Sequence, residues 1–236
     1  MQPKGLLFDY GGTLVEEVSV DLPAGNAWLF ARASYIPPGV TLEHVLGRAS
    51  LVIREVVARR DQLHIETPWP TLTRLIHDFL GIRFSDPIGE LEMGFWRASV
   101  QTRAIPGARD ALQQFNRLRI PMAVVSNTSF SEPIIRYELT KHGLADHLGF
   151  VMVSADYAVR KPHVLLFDTA AARLGVEPKD IWFVGDRLDT DIAGARAAGM
   201  TSVWFKLHSL KDPRADLTVA TWDELARHVL ESIQPA

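Results

Sequence analysis

Two kinds of hydrophobic pattern alternate along the chain. "GLLFDY" at residues 5–10 is a short apolar run that ends in an aspartate, as a buried strand does. From about Val15 to Thr102 the pattern changes. "NAWLFARASY", "LEHVLGRASLVIREVVARR", "PTLTRLIHDFL" and "IGELEMGFWRASVQ" carry apolar residues at three- and four-residue steps, which predicts amphipathic helices. The turn formers "IPPG" and "FSDPIG" separate them. From "AIPGARDALQQFNRL" onward, the apolar runs "IPMAVVS", "GFVMVS", "IWFVGD" and "TSVWF" are each followed by a helical pattern, the last being "WDELARHVLESI". That alternation predicts a parallel sheet covered on both faces. The simplest topology places the first strand in the same sheet as the later ones. The helical stretch is then an insertion hinged near Leu14–Val20 and Thr102–Pro106.

Open parallel sheets present their ligand sites at the carboxyl ends of the strands. Asp9 follows the first apolar run, Ser126 and Asn127 follow "MAVV", and Asp186 follows "IWFVG", with Asp189 and Asp191 close behind. Lys161 stands between the last runs, just before a proline. Clustered carboxylates repel one another and resist desolvation, and a divalent cation relieves both problems. Oxygen donors without histidine or cysteine point to magnesium. An ammonium and a hydroxyl beside such a cation suit a phosphoryl group, with Asp9 as the nucleophile that forms an acyl phosphate.

Four stretches, "LLFDYGGTL", "AVVSN", "RKP" and "WFVGDRLDTDIAGARAAGM", together resemble the haloacid dehalogenase-like hydrolase superfamily. The last is the most specific. The resemblance implies an α/β fold: a Rossmann-like parallel sheet core of residues 1–14 and 103–236, with an all-helical cap at 15–102. It implies that Asp9 is nucleophile and magnesium ligand, that Gly11 lends its backbone carbonyl to the metal, and that Asp186 completes the ligands. Asp191 is expected to brace them from behind. Ser126 and Lys161 act on the transferring phosphoryl group, and Gly12, Thr13 and Asn127 complete the phosphate- and substrate-binding set.

One residue departs from the pattern. The superfamily's phosphatases carry a second aspartate two positions after the nucleophile, which protonates the leaving oxygen, and here that position is Gly11. A positioned general acid is worth about 10²–10⁴-fold in rate. Four accounts remain open. The leaving group needs no proton, as with an acyl phosphate; another residue, among His44, His64, His77, Glu66, Glu16 and Glu17, supplies it; the reaction is not phosphate-ester hydrolysis; or the site binds metal and phosphate without turnover. A glycine pair also permits a positive-φ turn, a purely conformational reason for Gly11. Relatives that cleave phosphonates use a cap lysine, and residues 15–102 contain none. Metal-independent dehalogenases alter the Gly-Asp pair that this chain keeps at Gly185–Asp186. The expectation is a magnesium-dependent phosphatase of a small phosphorylated metabolite, weak on alkyl phosphates. A non-catalytic metal- and phosphate-binding protein is the second reading, and a haloacid dehalogenase the third.

Composition narrows the rest. A chain of 236 residues with 47% hydrophobic and 22% charged residues has enough apolar content for an ordinary globular core. The net charge of −3 carries no basic footprint for nucleic acid. The absence of cysteine excludes disulfides and thiolate chemistry. The first residues form no signal-peptide pattern, and no apolar stretch reaches the ~20 residues needed to cross a bilayer, so the chain reads as cytoplasmic.

Overall fold

The computed structural model describes residues 2–206 and 212–233. Among them, strands β1 (Gly5–Phe8), β4 (Met122–Ser126), β5 (Phe150–Val153), β6 (Ile181–Gly185), β7 (Thr201–Phe205) and β8 (Leu217–Val219) form one sheet in the order β5-β4-β1-β6-β7-β8. Every neighbouring pair is parallel. The alternation of side chains sets the two faces. Leu6, Phe8, Val124 and Val184 pack under helices α6 (Ala108–Arg117), α7 (Glu132–Lys141) and α11 (Trp222–Ile233), whereas Leu7, Ala123, Val125 and Phe183 pack under α9 (Val164–Leu174) and α10 (Ala193–Ala197). Strands buried on both sides read in sequence as unbroken apolar runs, which is why β1, β4, β5 and β6 were visible there.

Between β1 and β4 the chain leaves the sheet. Helices α1 (Leu22–Arg32), α2 (Leu42–Val52), α4 (Trp69–Leu80) and α5 (Ile88–Ser99) pack around Val45, Ala49, Val52, Ile76 and Ile82, and around Leu29, Trp69, Leu91 and Phe95, whereas α3 (Ala58–Leu63) contributes no described residue to either cluster. Asp21 starts α1 by accepting the Ala24 N–H at 2.9 Å. A π-helical turn, Ile53–Val57, joins α2 to α3 within what the sequence presents as one continuous helical pattern.

The ends of the inserted segment are not helical. Val15–Val20 (β2) and Val100–Ala104 (β3) pair antiparallel, with a bulge between Glu17 and Ser19. Only Val15 of β2 is buried, and Val18 and Val20 are exposed, so the strand has no regular apolar face to mark it in sequence. Strand β8 also escapes the sequence pattern, being three residues long and only partly buried. Among the described residues, no helix is long and apolar enough to cross a membrane.

Candidate active site

Strands β4, β1 and β6 are neighbours, and their carboxyl ends deliver Ser126, Asp9 and Asp186 to one edge of the sheet. Lys161 arrives on the segment between β5 and α9. Its Nζ is fully buried and donates to Asp9 Oδ1 at 2.6 Å and to the Val125 carbonyl at 2.8 Å, and it lies 2.8 Å from Asp191 Oδ1. The Lys161 main chain is held by Asn127: the Lys161 N–H donates to Asn127 Oδ1 at 2.8 Å, and Asn127 Nδ2 donates to the Lys161 carbonyl at 2.9 Å. Both polar ends of the Asn127 side chain are therefore spent on positioning Lys161.

Two glycines permit the close approach. Gly12 has φ +72°, and a Cβ there would lie 2.6 Å from Asp186 Oδ2; a Cβ on Gly185 would lie 2.4 Å from Asp191 Oδ2. Gly11 is different. It is not among the positive-φ residues, and a Cβ built on it meets no atom within 4 Å. The conformational explanation for Gly11 therefore fails: the turn needs glycine at position 12, and position 11 has room for a side chain.

The electrostatics of the cluster favour a cation. Asp9, Asp186 and Asp191 each offer a carboxylate oxygen within 4.8 Å of the others. Burial pushes Asp9 up to about 7 against the pull of Lys161, with Asp191 and Asp186 adding repulsion. Burial, then Asp191, likewise pushes Asp186 up. Three carboxylates and one ammonium sum to −2, the charge that a dication neutralises, and the hard oxygen donors suit magnesium. Asp191 is engaged on both oxygens, by Lys161 on one side and by the Arg187 N–H at 3.1 Å on the other. That arrangement suits bracing better than direct coordination.

A cleft of about 530 Å³ opens over this cluster. Asp9, Gly11, Gly12, Ser126, Asn127, Lys161, Asp186 and Asp191 all line it. Thr13 does not: it is fully buried, and its carbonyl accepts the Trp222 indole N–H at 3.0 Å.

The suggested proton donors scatter. His44 caps α2, accepting the Thr41 N–H at 3.1 Å. His77 is buried in the inserted segment against Phe84, its Nδ1 2.9 Å from the Thr73 carbonyl. Glu66 is buried, with Ser154 Oγ at 2.6 Å, Ser129 Oγ at 3.0 Å and Arg160 donating to it. Glu16 pairs with Arg103 at 2.6 Å on the outer face of β2. Only His64 and Glu17 reach the cleft wall. Sequence reasoning missed Tyr10, Arg60, Arg160 and Arg187 as cleft residues, although "RKP" had marked the neighbour of Arg160.

Residues 3–199 match the family model for haloacid dehalogenase-like hydrolases. The chain belongs to that family. Among its curated relatives, the phosphoglycolate phosphatase of Chromobacterium violaceum is 29% identical over 226 residues, 94% of each chain. That of Xylella fastidiosa is 31% identical across 85% of this hydrolase and 79% of the relative. The glyceraldehyde 3-phosphate phosphatase of Pyrococcus furiosus is 35% identical over 105 residues, a match that spans only 42% of its length. In three dimensions this hydrolase resembles a phosphatase of the same superfamily from Thermococcus onnurineus, with a TM-score of 0.67, 25% identity, and coverage of 98% of this chain and 99% of that one.

Proposed function

We propose that this hydrolase is a magnesium-dependent phosphatase of a small phosphorylated metabolite, working through a phosphoryl group carried on Asp9. The observation that carries this reading is the position of Lys161 Nζ, between Asp9 Oδ1 at 2.6 Å and Asp191 Oδ1 at 2.8 Å, with Asp186 in the same cluster. The phosphatases named among its relatives support the same reaction class.

Asp9, the Gly11 carbonyl and Asp186 would hold the magnesium, and Asp191 would fix their arrangement. When bound, the cation supplies charge neutralisation for the transferring phosphoryl group. Lys161 keeps the Asp9 carboxylate oriented and meets the phosphoryl oxygens with positive charge, while the Ser126 hydroxyl donates to them. Asp9 attacks phosphorus, the bond to the leaving oxygen breaks, and water later hydrolyses the acyl phosphate, regenerating Asp9. The inserted helical segment acts as a lid that limits water in the cleft. With Gly11 in place of the usual acid, alkyl esters react slowly unless another residue supplies the proton.

The test is phosphate release from a panel of acyl and alkyl phosphates. The reading predicts turnover that requires magnesium and disappears in Asp9→Asn. Metal binding with no turnover across the panel, or halide release without metal, would replace it with one of the rival functions.

A further inference from the structure

The geometry of the cleft points to a residue for the missing proton. Gly11 forms a bridge with Val15, so β2 begins directly beside the open space at position 11. Val15 is fully buried, facing the core. Side chains alternate along a strand, so Glu17 leaves β2 on the same side as Val15, and Glu16 leaves on the opposite side, where it pairs with Arg103. The bulge lies just beyond, between Glu17 and Ser19, where it can turn the strand without breaking that alternation. Glu17 accordingly lines the cleft together with Asp9, Gly11, Lys161 and Asp186.

Four other carboxyls line the cleft, and Asp186 is the one reserved for the metal. Asp9 and Asp191 hold Lys161, and Asp189 pairs with Arg187 at 2.9 Å. The Tyr10 hydroxyl is held far above its ordinary range by burial, then by Glu138 and Glu17, too weak an acid to serve. Apart from Asp186, Glu17 is the one carboxyl of the cleft wall, among the described residues, with no ion-pair partner. Glu17 is solvent-exposed where β2 borders the cleft, and partial desolvation there raises its carboxyl above the usual range.

We propose that Glu17 is the general acid and base of phosphoryl transfer, reaching across from β2 into the space that a side chain at position 11 would fill. The proposal rests on the phosphatase reading above. As Asp9 Oδ bonds to phosphorus, the phosphorus–oxygen ester bond breaks, its electron pair stays on the leaving oxygen, and the Glu17 carboxyl gives that oxygen its proton. Water then attacks the phosphorus of the aspartyl phosphate and Glu17 takes its proton. The bond to Asp9 breaks with its electron pair returning to Asp9, which leaves inorganic phosphate and a reprotonated Glu17.

The experiment follows leaving-group release in a single turnover, from β-glycerophosphate and from acetyl phosphate, with magnesium present. Glu17→Gln is expected to slow glycerol release by about 10²–10⁴-fold and to leave acetate release unchanged, because acetate departs without a proton. Phosphorylated chain then accumulates, because the second step also loses its base. Gly11→Asp in the Glu17→Gln background, a change for which position 11 has room, restores glycerol release and guards against misreading a folding defect. Equal loss on both substrates, or no loss on either, overturns the assignment. Wild-type chain inert toward both substrates overturns the phosphatase reading itself, a different outcome from a wild type that acts on both and a variant indifferent to the leaving group.

Discussion

Lys161 is a buried ammonium, and its environment explains why the chain tolerates it. Desolvation works against its charge, but Asp191 and Asp9 more than offset that penalty and hold it above its ordinary range. The Val125 carbonyl accepts a hydrogen bond from Nζ, and the Phe183 ring lies 5.3 Å from it. Removing one partner of a buried ionic cluster costs about 3–5 kcal/mol because charge is left uncompensated. Lys161→Met should therefore lower the urea unfolding free energy by about that much in chelator, and magnesium should return part of it by neutralising Asp9 and Asp191. A loss below about 1 kcal/mol would mean that the lysine is not tied into the cluster. Asp9, Asp186 and Lys161 were legible in the sequence because each follows an apolar run or precedes a proline, and Asp191 because it lies in the most specific of the resembling stretches. Arg60 and Glu66 were not legible in this way. Glu66 meets Ser129, Ser154 and Arg160 across 63, 88 and 94 positions of chain, and no local pattern encodes such partners.

Glu66 matters most at the scale of elements. It lies on the segment between α3 and α4, yet Ser129, Ser154 and Arg160, on the stretches of chain that follow β4 and β5, all donate to its carboxylate. The Glu66 N–H also donates to the Ala158 carbonyl at 2.9 Å, and Trp69 N–H to the Ser129 carbonyl at 2.7 Å. The inserted segment is thus fastened to the sheet's carboxyl edge at a point remote in sequence from its β2–β3 base. Glu66→Gln keeps the shape and removes the charge on which these donors converge, so it should cost about 3–5 kcal/mol. Amide exchange measures the effect: protection should fall at residues 64–69 and 127–131 and stay unchanged in β1 and β6. A uniform fall across the sheet would mean that Glu66 supports global stability and does not fasten the segment. The helices of this segment were readable from their apolar spacing, as was the parallel sheet. Strands β2 and β3 were not, because an exposed two-stranded ladder needs little apolar burial, and so Glu17 was only one candidate acid among several before its strand was seen.

Across the whole molecule, the clustered carboxylates link folding, protons and metal. Burial raises Asp9 from 3.8 to about 7, and Asp186 moves in the same direction. Between those values the folded chain holds a proton that the unfolded chain has released, so without metal the stability should fall as pH rises through this window. Magnesium needs the ionised carboxylates and competes with that proton. Its effect on the thermal midpoint should therefore be larger at about pH 8 than at about pH 5, and a pH-independent effect would argue that the ion binds elsewhere. The account as a whole rests on Asp9 carrying the phosphoryl group. Its most direct test is to mix the chain with acetyl phosphate and magnesium, quench in acid, and locate the modification by peptide mass spectrometry. Phosphate on Asp9, absent in chelator and in Asp9→Asn, is the predicted result. Turnover that proceeds undiminished in Asp9→Asn, or phosphate lodged on a different residue, would contradict it.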